Sequence, residues 1–188
     1  MTDNASNANR GLILVNTGDG KGKTTASLGV ALRAVGNGFR VLILQFIKGG
    51  SAYGELKAIA ALQKAGMPIE IRPMGKGFIF HNKEMSEADL QAHQKAAREA
   101  WQMLTDEVMS DTWDLIIFDE INYAVKFGLL SVEQVVDLLK NKPQRLHVVL
   151  TGRDAKPEIV EMADTVTEMR VVKHAYQQGI KAARGIEF

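Results

Sequence analysis

Short apolar runs rich in Leu, Ile and Val recur along this 188-residue chain, and most are separated by a stretch long enough for a helix. Strands joined through helices run the same way, and strands covered on both faces carry no polar alternation. The pattern therefore predicts an α/β fold, a mostly parallel sheet flanked by helices. Strands are expected over 12–17, 40–46, 69–73, 113–119, 146–151 and 165–172. Helices are expected over 23–35 and 55–65, from a cap at Ser86 to about Met109, from a Ser131/Gln134 capping box to about Lys140, and from Pro157 onward. Segments 48–54 and 75–84 read as loops. Residues 1–10, rich in Asn and Ser, read as a disordered leader and 11–188 as a single domain.

Composition narrows the partners. No stretch approaches the roughly 20 apolar residues of a membrane helix, and the start of the chain has no apolar core of a secretory signal. With no cysteine there is no disulfide or thiolate chemistry, so a cytoplasmic location is the default expectation. A net charge of +1 supplies no broad field for nucleic acid or an anionic membrane, which leaves a small-molecule partner.

Between the first strand and the first helix lies Thr17-Gly18-Asp19-Gly20-Lys21-Gly22-Lys23-Thr24-Thr25. Glycines permit tight turns whose N–H groups converge on phosphate oxygens, and the helix that follows turns its positive end toward the same anion. Lys23 adds a full charge, and the Thr24 hydroxyl is of the type that ligates Mg²⁺. The expected nucleotide-binding residues are thus Gly18, Asp19, Gly20, Lys21, Gly22, Lys23, Thr24 and Thr25. The common pattern G-x-x-x-x-G-K-[ST] would place glycine where this chain has Thr17. A bare helix-opening turn would not account for Gly22-Lys23-Thr24 in this register.

A second feature is Leu115-Ile116-Ile117-Phe118-Asp119-Glu120, an apolar strand ending in two carboxylates. Ligands of open α/β sheets bind at that edge, so Asp119 and Glu120 join Thr24 as candidate ligands of Mg²⁺ or Mn²⁺. Arg153 follows the run Val149-Leu150-Thr151-Gly152 and leaves the same edge, placed either to clamp phosphate or to form a local ion pair. The four histidines have no metal-ligand spacing.

A phosphate loop permits kinases, ATPases, GTPases and transferases. A GTPase would carry Asp-x-x-Gly and Asn-Lys-x-Asp, where this chain has Asp119-Glu120-Ile121-Asn122 and Asn141-Lys142-Pro143-Gln144. An ordinary ATPase or small-molecule kinase, and a nucleotide-gated binding module, stay open on these residues alone.

Several motifs in order go further: the phosphate loop, Gln45-Phe46-Ile47-Lys48-Gly49, Gly77-Phe78, Asp119-Glu120, Thr151-Gly152-Arg153, Val172-Lys173-His174 and Gly185-Ile186-Glu187-Phe188. In these the chain resembles the ATP:corrinoid adenosyltransferases, a family whose loop also lacks the first glycine. The resemblance implies a phosphate-loop NTPase fold of RecA-like architecture. It implies that ATP and a reduced corrinoid, cob(I)alamin or a precursor, are substrates, with Mg²⁺ or Mn²⁺ as cofactor. Co(I) would attack the ribose C5′ and the whole triphosphate would leave, with Lys23 and Arg153 as the catalytic charges. It further implies an electron-donating reductase such as a flavoprotein, a homodimer, and corrinoid binding at Phe78 and Phe80. Relatives often have tryptophan at the latter position and proline where this chain has Val171.

Overall fold

The computed structural model describes residues 10–47, 53–74 and 87–187. Six strands form one sheet: β1 (Ile13–Thr17), β2 (Val41–Gln45), β3 (Ile69–Pro73), β4 (Leu115–Asp119), β5 (His147–Thr151) and β6 (Thr165–Glu168). Their order is β3-β2-β4-β5-β1-β6, and every neighbouring pair is parallel. Strand β5 therefore lies between β1, which leads into the phosphate loop, and β4, which ends in Asp119.

Successive side chains of a strand point to opposite faces, so each fully covered strand builds two cores at once. On one face Ile13, Val15, Leu42, Leu44, Ile116, Phe118, Val148 and Leu150 share a cluster with helices α3 (Glu87–Met109), α4 (Ile121–Lys126), α5 (Val132–Asn141) and α6 (Pro157–Met162). On the other, Val41, Ile43, Ile69, Leu115, Ile117 and Val149 pack with Ala31 and Val35 of α1 (Lys23–Gly36) and Ile59 of α2 (Gly54–Lys64). Burial of each large side chain in these layers stabilises by about 1.5–3 kcal/mol. None of the helices among the described residues is long and apolar enough to cross a membrane.

The expected strands and helices are present with shifted ends, and the Ser131/Gln134 capping box forms, the Ser131 hydroxyl accepting from the Gln134 N–H at 3.2 Å. Three details differ from the sequence reading. The last strand stops at Glu168 and not at 172: the Met169 N–H continues the ladder to Thr17 O at 2.8 Å, but the Met169 carbonyl then accepts from Gly20 N at 2.7 Å, which turns the chain onto the phosphate loop. Helix α4 is additional, as is a 3₁₀ turn at Ala175–Gln178. The cap expected at Ser86, the loop over 75–84, most of that over 48–54, and residues 1–9 of the leader lie outside the described residues.

Candidate active site

The carboxyl ends of β1, β4 and β5 surround a cavity of about 480 Å³. Asp19, Gly20, Lys21, Gly22, Lys23, Thr24 and Thr25 line it, together with Glu120 and Arg153. Gly18 and Asp119 belong to the same assembly without lining the cavity, and Phe78 and Phe80 lie outside the described residues. Leu28, Gly54, Glu55, Tyr123 and Gly185-Ile186-Glu187 complete the wall. Sequence reading did not assign these a role at the site.

The loop is shaped from both sides. Gly18 has φ 89° and Gly22 φ 109°, values that L side chains rarely adopt. Close approach adds a second constraint: a Cβ at Gly18 would stand 2.5 Å from the Met169 carbonyl oxygen, and one at Gly20 would stand 2.8 Å from it. Two of the glycines thus admit the strand-end backbone as well as any phosphate. Thr17, where the common pattern has glycine, accepts a hydrogen bond from Ala155 N–H through its hydroxyl at 3.1 Å and so ties β1 to the turn carrying Arg153.

Lys23 opens α1 and its Nζ donates to the carbonyls of Gly18 and Gly20, both at 2.6 Å. Burial pulls its pKa down, opposed by the nearby charge of Glu120. The first-turn N–H groups of an α-helix lack intrahelical acceptors, so this end of the cavity is positively polarised before any side chain is counted. Lys21 pairs with Glu187 across the cavity rim. Arg153 stands 3.9 Å from Asp19, both well exposed, so screening by water leaves that pair weak.

Behind the loop is a buried polar chain. The Asp119 side chain has no exposure; its Oδ1 accepts from the Thr24 hydroxyl at 2.8 Å and the Thr151 hydroxyl at 2.7 Å, and its Oδ2 accepts from Gln45 Nε2 at 3.1 Å. The Thr151 oxygen in turn accepts from Glu120 N–H at 2.8 Å. That bond holds Glu120 at φ 64°, a left-handed conformation unusual for a residue with a side chain. Gly152, at φ 126°, passes so near α4 that a Cβ would meet Asn122 and Tyr123 at 3.0 Å. The donors gathered around the cavity floor, the Thr24 hydroxyl and the Glu120 carboxylate with Asp119 behind them, are all hard oxygens. Such a set fits a magnesium-type ion that completes its shell with phosphate oxygens and water.

The sequence pattern of the family described as ATP:corrinoid adenosyltransferase BtuR/CobO/CobP matches residues 9–188. The chain is 41% identical over 180 residues to a corrinoid adenosyltransferase of a Sinorhizobium species, covering 95% of this chain and 81% of that one. It is 39% identical to that of Pseudomonas aeruginosa, with 95% and 84% covered, and 40% identical to that of Escherichia coli, with 95% and 86% covered. Among solved structures, a KaiC-like protein of Pyrococcus horikoshii superposes with a TM-score of 0.51 at 15% identity, covering 86% of this chain and 72% of that one, a likeness of fold alone.

Proposed function

This chain belongs to the ATP:corrinoid adenosyltransferase family, and from that premise we propose that it transfers the 5′-deoxyadenosyl group of ATP to the Co(I) centre of a corrinoid. A bond forms between cobalt and C5′ as the C5′–O bond breaks, and the electron pair of the broken bond departs with triphosphate. The nucleophile is the substrate's cobalt, so the protein's task is electrostatic: to hold the polyphosphate and to stabilise the charge that grows on it. The observation that carries this reading is the cavity itself, where Lys21, Lys23 and Arg153 meet the amino end of α1 around a space of about 480 Å³.

In this reading Lys23 leaves the Gly18 and Gly20 carbonyls for phosphate oxygens, and Arg153 and Lys21 flank the same group. Thr24 and Glu120 hold Mg²⁺ or Mn²⁺, with Asp119 fixing Thr24 from behind. When bound, the ion adds Lewis-acid charge on the leaving triphosphate. Phe78 and Phe80 contact the corrinoid, an electron-donating flavoprotein delivers cobalt in its reduced state, and the protein works as a cytoplasmic homodimer. Support for these finer assignments comes from the motif resemblance and the chemistry of the residues concerned.

The test is direct. ATP, Mg²⁺ and a chemically reduced corrinoid are expected to yield a light-sensitive cobalt–carbon product and one triphosphate per turnover. ADP in place of triphosphate, with the corrinoid spectrum unchanged, would put the cleaved bond between phosphates and leave an ordinary ATPase or kinase.

A further inference from the structure

Strand β2 is apolar from Val41 to Leu44 and then carries Gln45, a side chain with no exposure. A buried amide must recover the hydrogen bonds it made to water, and an acceptor left unpaired is a net loss of stability. Gln45 does not recover all of them: among the described residues its Oε1 has no partner. A hydrocarbon of the same length would avoid that loss, so the amide's presence points to the bond it does make.

That bond runs from Gln45 Nε2 to Asp119 Oδ2 at 3.1 Å. The amide turns its NH₂ toward Asp119, whose Oδ2 accepts, and its oxygen away. Gln45 and Asp119 face each other in the β2–β4 register. Their backbones are pinned independently, Phe46 N–H donating to Asp119 O at 3.0 Å and Met74 N–H to Gln45 O at 2.9 Å. The side-chain bond is thus not needed to pair the strands.

What it does govern is the direction of the carboxylate. Asp119 can turn about its Cβ–Cγ bond, and Oδ1 is the oxygen that receives the Thr24 and Thr151 hydroxyls. We propose that Gln45 is a positioning residue for the polyphosphate site: by holding Oδ2 from the opposite side it keeps Oδ1 in place to take the Thr24 proton. With its hydrogen committed to Asp119, the Thr24 oxygen has its lone pairs left for a cation beside the phosphates. Glutamine suits this place because it reaches across one strand spacing, donates, and adds no charge next to Asp119. The inference rests on the reading that Thr24 and Glu120 hold the metal.

The experiment compares the full-length wild-type chain with Gln45→Met, which keeps the length and removes the donor, and with Gln45→Leu as a second apolar variant. Calorimetry gives the Kd of ATP in Mg²⁺ and in EDTA, and thermal melts give Tm. Both variants are expected to keep or raise Tm, since the unpaired oxygen goes with the amide, and to bind ATP normally in EDTA. In Mg²⁺ they are expected to bind about tenfold more weakly than wild type, the size of effect typical for groups that support metal ligands. Wild-type affinity in Mg²⁺ for both variants would overturn the inference. So would equal weakening in Mg²⁺ and EDTA with a lowered Tm, which is the mark of a packing role. A wild-type chain whose ATP affinity is the same in Mg²⁺ and EDTA would remove the metal reading itself, and this inference with it.

Discussion

Lys23 and Glu120 both line the cavity and answer to different pressures. Lys23 is buried beside the loop carbonyls it bonds and belongs to neither apolar cluster, so its removal spares the core and, in the proposed reading, costs the site its central charge. Lys23→Ala is expected to fold normally and to turn over about 10²–10³-fold more slowly at saturating ATP, by analogy with removing one preorganised donor. A rate within a few-fold of wild type would remove Lys23 from the chemistry. Glu120 is held at a left-handed φ of 64°. That conformation costs a residue with a side chain about 1–2 kcal/mol, whereas the extra chain entropy of glycine costs about 0.5–1 kcal/mol. Glu120→Gly is therefore expected to hold or raise the urea midpoint while activity falls, stability and turnover moving in opposite directions. A variant that loses both together would show the carboxylate to be holding the fold and not the substrate.

The contact of the residue after β6 with the phosphate loop makes the loop as much a packed strand end as a binding device. In Gly20→Ala the new methyl would stand 2.8 Å from the Met169 carbonyl. The segment after β6 must then shift, and ATP affinity and thermal stability are expected to fall together; an unchanged Tm would mean the loop yields instead. The same contact explains where the sequence was legible and where it was not. Strands β1, β2, β4 and β5 could be read because each carries an unbroken run of apolar residues, and the capping box at Ser131 because its signal is local. Helix α4 is six residues long, too short to show a helical period. The true end of β6 depends on a bond to Gly20, far away in the chain, so no local pattern marks it. The site divides in the same way. The glycine-rich loop, Asp119-Glu120 and Arg153 lie in contiguous motifs that meet at the sheet edge. Gln45 and Thr151 stood in quoted motifs without a stated purpose, because their meaning comes from the lateral order β2-β4-β5, which the linear chain does not display.

At the other end of the sheet, Asp114 joins strands by charge. Arg40 donates to it from its backbone N–H at 2.8 Å and from its guanidinium at 2.9 and 3.0 Å, and Arg145 reaches the same carboxylate at 2.5 Å. The hydrogen bonds from Arg40 are the main cause holding the Asp114 pKa well below its ordinary value of 3.8. A depressed folded-state pKa means stability that is complete above the unfolded value and is lost as the pH falls through the folded one. Asp114→Asn is thus expected to be less stable than wild type near pH 7, with the gap closing below about pH 4 in urea titrations. A gap that stays constant into acid would assign the loss to packing. The order of the strands has a further bearing, on how the chain is made. The phosphate loop follows β1, the first strand, yet the neighbours of β1 are β5 and β6, the last two. Chains leave the ribosome amino end first, and pairings between distant segments wait for both partners. Strands β2, β3 and β4 can assemble among themselves while β1 has nothing to lie against. Completion of the site at the end of β1 therefore waits for β5 and β6, the strands made last.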